Sequence, residues 1–120
     1  MRLNGMILLS RRDLKGTEQA ITYIEKHYAD RISPERLSVE VGLSVQKLQA
    51  GLKLKTGYSL YGYQEQVRIR FAKLYLEETD KPLRTVATSM GFKTLSHFGE
   101  IFKKHTRMTP SQYRNEYGIM

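Results

Sequence analysis

Cysteine is absent from this 120-residue chain, which excludes a disulfide framework, a thiolate zinc site and a cysteine nucleophile together. No apolar stretch approaches the length needed to cross a bilayer, and Met6-Ile7-Leu8-Leu9 is too short for the core of a signal peptide. A soluble protein of a reducing cytoplasm, with no membrane partner, is therefore expected. Nor does any alternation of apolar and polar residues run long enough to suggest a sheet. The three histidines, His27, His97 and His105, are scattered; no carboxylate pair is tied to them by local spacing, and no glycine-rich loop follows a strand. No catalytic residue, metal ligand or cofactor is assigned on these grounds, and an enzyme is not expected.

What the chain does have is positive charge and a repeat. Twenty Lys and Arg against 12 Asp and Glu give a net charge of +8, which favours a polyanionic partner. One pattern then occurs twice, about fifty residues apart. The first copy reads Leu37-Ser38, Gly42-Leu43-Ser44, Leu48, Leu52-Lys53, Gly57, Ser59, Tyr63. The second reads Val86-Ala87, Gly91-Phe92, Thr94, Phe98, Phe102-Lys103, Arg107, Thr109, Tyr113. Each copy has the order of a helix-turn-helix, which presents its second helix to the major groove of DNA.

The periodicity from Thr17 onward is helical throughout and predicts an all-α fold of about seven helices. Residues 1–16 read as an arm or linker and 17–120 as the folded domain. Thr17 is expected to cap a first helix with Ala20-Ile21, Ile24 and Tyr28 inward, and Ser33-Pro34 to open a second that stops at Gly42. Ser44 caps a third, from Val45 to about Lys55, with Gly57 at its end. A longer linker helix runs from Ser59 to about Thr79, with Leu60, Tyr63, Ile69, Ala72 and Leu76 inward. Pro82 opens the fifth, Thr94 caps the sixth, and Thr109-Pro110-Ser111-Gln112 has the spacing of a capping box for the seventh. The two helix-turn-helix subdomains thus cover about 33–57 and 82–106. At about 1.5 Å per residue the linker helix would span roughly 30 Å, close to the ~34 Å between successive major grooves. The aromatics Tyr28, Tyr63, Phe92, Phe98, Phe102 and Tyr113 fall on the inward stripes and are expected in the core rather than as stacking platforms.

These residues match a known pattern. The run Val86-Ala87, Met90-Gly91-Phe92, Ser96-His97-Phe98, Phe102-Lys103-Lys104 and Thr109-Pro110-Ser111-Gln112-Tyr113-Arg114 resembles the DNA-binding domain of the arabinose-regulator (AraC/XylS) family of bacterial transcription factors. Leu43-Ser44, Leu48, Leu52-Lys53, Thr56-Gly57, Tyr63 and Arg68-Ile69 fit the same pattern. The resemblance implies seven helices in two helix-turn-helix subdomains, promoter DNA read by the third and sixth helices, and usually transcriptional activation, with RNA polymerase as a further partner. Many members carry a sensor or dimerisation domain on the amino-terminal side, so a carboxy-terminal piece of a longer regulator is expected. Ser38 and Leu52 stand where the family often has alanine and phenylalanine, Arg107 replaces the glycine that usually ends the sixth helix, and Glu100 stands where basic or small polar residues are common. Alkyl transfer, which some relatives couple to this fold, needs a cysteine that this chain lacks.

Side chains near the start of a recognition helix reach base edges. The candidates for base reading are Val45, Gln46, Gln49 and Ala50 on the third helix and Leu95, Ser96, His97 and Glu100 on the sixth. A glutamine carries donor and acceptor together and pairs bidentately with adenine; valine and alanine pack on thymine methyls; a carboxylate accepts from cytosine N4. Ser44, Lys53, Lys55, Lys93, Thr94, Lys103 and Lys104 are the candidates for phosphate contact. The competing function is a basic helical module that binds RNA or an acidic protein.

Overall fold

A computed structural model describes residues 2–3 and 6–119. Its regular elements are seven helices and one minimal ladder: α1 (Arg11–Lys26), α2 (Pro34–Glu40), α3 (Val45–Thr56), α4 (Leu60–Glu78), α5 (Leu83–Ser89), α6 (Leu95–Thr106) and α7 (Pro110–Tyr117), preceded by the antiparallel pair β1 (Arg2–Leu3) and β2 (Met6–Ile7). The fold is all-α, as expected. The chain divides into two units, one formed by residues up to 27 with 31–65, the other by 28–30 with residues from 66 onward. The long helix α4 contributes its first turns to one unit and its remainder to the other.

In the first unit, α1 starts at Arg11, earlier than the expected cap at Thr17, so residues 11–16 are helix and not arm. Ser10 is the cap. Its hydroxyl accepts from the Asp13 N–H at 3.0 Å while the Asp13 carboxylate accepts from the Ser10 N–H at 2.9 Å, the reciprocal arrangement of a capping box with Asp in the place of the usual Glu or Gln. Gly16, the last residue of the expected arm, is instead a place of close approach. A Cβ there would lie 3.0 Å from the Val41 carbonyl oxygen and 3.2 Å from the Leu43 side chain. Thr17 is buried, its hydroxyl donating to the Asp13 carbonyl at 2.9 Å, and faces Gly51 of α3, where a Cβ would overlap that hydroxyl. Ala20, Ile24, Ile32, Leu37, Leu43, Leu48, Leu52 and Leu60 close the core over this crossing. Tyr63, expected in the core, is half-buried: its ring packs against the cluster and its hydroxyl donates to Glu25 of α1.

The second unit is built on aromatic rings. Phe92 lies 5.3 Å from Phe98, Phe98 5.7 Å from Phe102, and Phe102 5.3 Å from Tyr113, distances at which tilted and edge-to-face rings attract. Ile69, Ala72 and Leu76 of α4 and Val86, Ala87 and Met90 of α5 surround them. Tyr113 donates its hydroxyl to Glu77, and burial, with the neighbouring carboxylate, raises its phenol well above the ordinary value. Tyr28 is half-buried and stacks on Phe71 with centroids 4.6 Å apart. Arg68 donates from Nε to the Tyr28 carbonyl at 2.7 Å and sits over the Phe92 ring at 5.4 Å. Gly91 has φ +94°, and a Cβ there would overlap the Ala29 carbonyl, so only glycine fits this turn.

Two consequences are measurable. Phe102→Ala removes one of the two inner rings of the cluster and should cost about 3 to 5 kcal/mol, read as a large fall in thermal midpoint; an unchanged midpoint would remove Phe102 from the core. Arg107 ends α6 with φ 65°, a left-handed conformation that costs a residue with a Cβ roughly 1–2 kcal/mol. Gly57 ends α3 in the same conformation at φ 82°. Arg107→Gly should therefore raise stability by about 1 kcal/mol in a denaturant titration, and a loss of stability would mean that the Arg107 side chain contributes more than its backbone strain costs.

Candidate nucleic-acid interface

Each unit presents a capped helix of 12 residues after a tight turn. The Ser44 hydroxyl accepts from the Lys47 N–H at 3.1 Å and the Thr94 hydroxyl from the His97 N–H at 3.0 Å. Both serve as helix caps, as the sequence indicates. The far ends are also matched by a device that the sequence reading missed. Thr56 donates to the Leu52 carbonyl at 2.7 Å and accepts from the Tyr58 N–H at 3.1 Å; Thr106 donates to the Phe102 carbonyl at 2.9 Å and accepts from the Met108 N–H at 3.1 Å. The signal was present as a threonine just before each helix-ending residue.

Burial fixes which side of each helix faces out. Leu48, Gly51 and Leu52 are buried on α3, and Phe98 and Phe102 on α6. The opposite side of α3 carries Gln46, Ala50 and Lys53; on α6 the equivalent positions, fifty residues on, are Ser96, Glu100 and Lys103. This spacing of four and three sets three side chains in one line along a helix. Gln46, Lys53, Ser96, Glu100 and Lys103 are exposed and Ala50 is half-buried. Lys93 and Lys104 are exposed beside the strip on α6.

The remaining candidates are placed differently. Val45 is half-buried. Leu95 packs against the aromatic cluster of its own unit, so its apolar side chain already has a partner. His97 is exposed, with its ring edge-on to Phe92 at 5.5 Å. Lys55 is spaced four residues from Gly51, on the side facing α1, and its ammonium lies 3.3 Å from Glu18; the pair is exposed and cheap to break, but Lys55 does not belong to the outward strip. Gln49 departs furthest from expectation. Its Oε1 accepts from the Leu60 N–H at 3.1 Å, so the oxygen that adenine recognition needs is engaged in capping α4. The eleven-residue separation hid this contact. At the equivalent position of α6 stands Gly99, with open space where a side chain would be.

One acidic residue outside the candidate set also touches α3. Asp13 lies 3.2 Å from the Lys47 ammonium, and its carboxyl is held below the usual range, chiefly by the Ser10 amide and further by Lys47, against a smaller opposing effect of burial. Among the described residues, no cluster of His, Asp and Glu could hold a metal ion and no helix is long and apolar enough to cross a membrane.

This architecture has relatives. The family described as a helix-turn-helix domain matches residues 37–116. The chain belongs to the AraC-type helix-turn-helix family. It is 34% identical over 98 residues to an uncharacterized HTH-type transcriptional regulator of Staphylococcus aureus, covering 82% of this chain and 13% of that protein. It is 34% identical over 97 residues to the arabinose operon regulatory protein of Escherichia coli, covering 80% of this chain and 33% of that protein. The C-terminal domain of AraT, a response regulator from Geobacillus stearothermophilus, superposes with a TM-score of 0.81 at 26% identity, over 95% of this chain and 92% of that one. The chain thus spans a minor part of the length of the curated relatives it matches.

Gln49→Ala tests the revised role of that residue. Loss of a partly buried hydrogen bond at the start of α4 should lower stability by about 0.5 to 1.5 kcal/mol, and an unchanged unfolding midpoint would return Gln49 to the pool of uncommitted surface residues.

Proposed function

We propose that this chain binds double-stranded DNA sequence-selectively as the DNA-contacting part of a bacterial transcriptional regulator, with α3 and α6 as its two reading helices. The observation that carries the proposal is the pair of outward strips, Gln46-Ala50-Lys53 and Ser96-Glu100-Lys103, on two equivalent capped helices of a chain with net charge +8. Each strip places side chains suited to base edges nearer the helix start and a lysine suited to phosphate farther along. Of the two glutamines expected to read adenine, Gln46 keeps the role and Gln49 does not. Glu100 selects cytosine N4, and Ala50 leaves room for a thymine methyl. The two strips differ in chemistry, so the preferred site consists of two unlike half-sites without a palindrome. Regulation in the bacterial cytoplasm, with RNA polymerase as the partner through which transcription is changed, completes the proposal.

Selection of bound duplexes from a random pool tests it. The selected duplex should outcompete random duplex by about 10³-fold or more at fixed salt; equal binding of both would favour the basic module that binds RNA or an acidic protein. On the selected site, Gln46→Ala should cost about 1 to 3 kcal/mol and relax selection at one or two base pairs. Lys53→Ala should weaken binding to every duplex and reduce the salt slope by about one unit. Sequence-dependent loss at Lys53, or uniform loss at Gln46, would reverse the two roles.

A further inference from the structure

Lys47 is the third residue of α3 and adjoins the exposed Gln46, yet its charge is not offered outward. Its ammonium lies 3.2 Å from the Asp13 carboxylate, with the lysine side chain 34% exposed and the aspartate 10%. The same carboxylate oxygen accepts from the Ser10 N–H at 2.9 Å, and the Ser10 hydroxyl accepts from the Asp13 N–H. The acid is thereby anchored at the first turn of α1 and cannot follow the lysine outward. The helix crossing beneath it leaves no slack, because Gly51 sits directly against Thr17, four residues along each helix from Lys47 and Asp13 respectively. Lys53 has no such acid beside it among the described residues. The two lysines of α3 nearest its reading side are therefore unlike: one is exposed, the other is neutralised by a fixed carboxylate.

We propose that Asp13 is a positioning residue that withholds Lys47 from DNA phosphates, leaving the reading end of α3 to act through Gln46 and Ala50 and lowering sequence-independent affinity. The proposal rests on α3 reading DNA. Nonspecific binding comes from counterion release, with log affinity falling by about 0.9 per phosphate contact for each unit of log salt. One lysine held back is thus one contact fewer on every random sequence that the protein visits.

The test is a salt titration of binding to a random-sequence duplex. Asp13→Asn should steepen the slope by about 0.9, equivalent to an extra loss of about 3.5-fold over a fourfold rise in salt, and should bind more tightly than the unaltered chain at low salt. Glu78→Gln makes the same change in net charge at an exposed site on α4 and should leave the slope alone. Equal steepening by both variants would assign the effect to net charge and overturn the proposal, as would an unchanged slope in folded Asp13→Asn. Should that variant fail to fold, Lys47→Gln, which leaves the cap of α1 intact, decides the matter: an unchanged slope supports withholding, and a slope reduced by about one overturns it. Absence of duplex binding by the unaltered chain would overturn the DNA reading itself, an outcome distinct from all of these.

Discussion

The contact on which the first unit depends is the crossing of α1 and α3 at Thr17 and Gly51. The Thr17 side chain lies directly against the bare backbone of Gly51 there, so the rotation of α3 about its axis is set by that close approach and by the buried Leu48 and Leu52. A helix whose buried face is fixed has a fixed outward face as well. Gln46, Ala50 and Lys53 are displayed because Leu48, Gly51 and Leu52 are not. The second unit reaches the same result by other means, with the Phe98 and Phe102 rings wedged between Phe92 and Tyr113. Tight glycine contact in one unit and aromatic filling in the other turn equivalent helices to equivalent orientations within their own cores.

Much of this was legible in the sequence because the relevant signals are local. Ser33, Ser44, Thr94 and Thr109 bond to amides three residues on, and Gly42, Gly57 and Gly91 take the left-handed conformation that ends helices. The inward apolar stripes follow from a period of 3.6 and need no tertiary knowledge. Where the structure departs from the local signals, nonlocal contacts are the cause. Gly16 resembles the end of an arm until Leu43 and Val41 come against it, and Thr17 resembles a cap until Gly51 does. Gln64 and Val67, both buried in α4, were absent from the expected stripe, as a helix shared by two cores buries more than one face.

The candidate site was legible to the same degree and for the same reason. Exposure of Gln46, Lys53, Ser96, Glu100 and Lys103 follows from helix periodicity once the inward residues are known. The roles of Gln49, Lys47 and Lys55 do not, since their partners Leu60, Asp13 and Glu18 lie 11, 34 and 37 residues away. Charge counts alone overstate the cations that α3 offers to a polyanion. Of Lys47, Lys53 and Lys55, two face carboxylates on α1, and Lys53 alone lies on the outward strip.

That base and phosphate contact falls on the outward strips of α3 and α6 is the central proposal. Backbone amide chemical shifts followed during titration with a selected duplex test it most directly. The largest changes should cluster around residues 46, 50 and 53 on α3 and 96, 100 and 103 on α6, with α2, α5 and the second half of α1 much less affected. Changes concentrated on those latter elements, with the two strips silent, would contradict it.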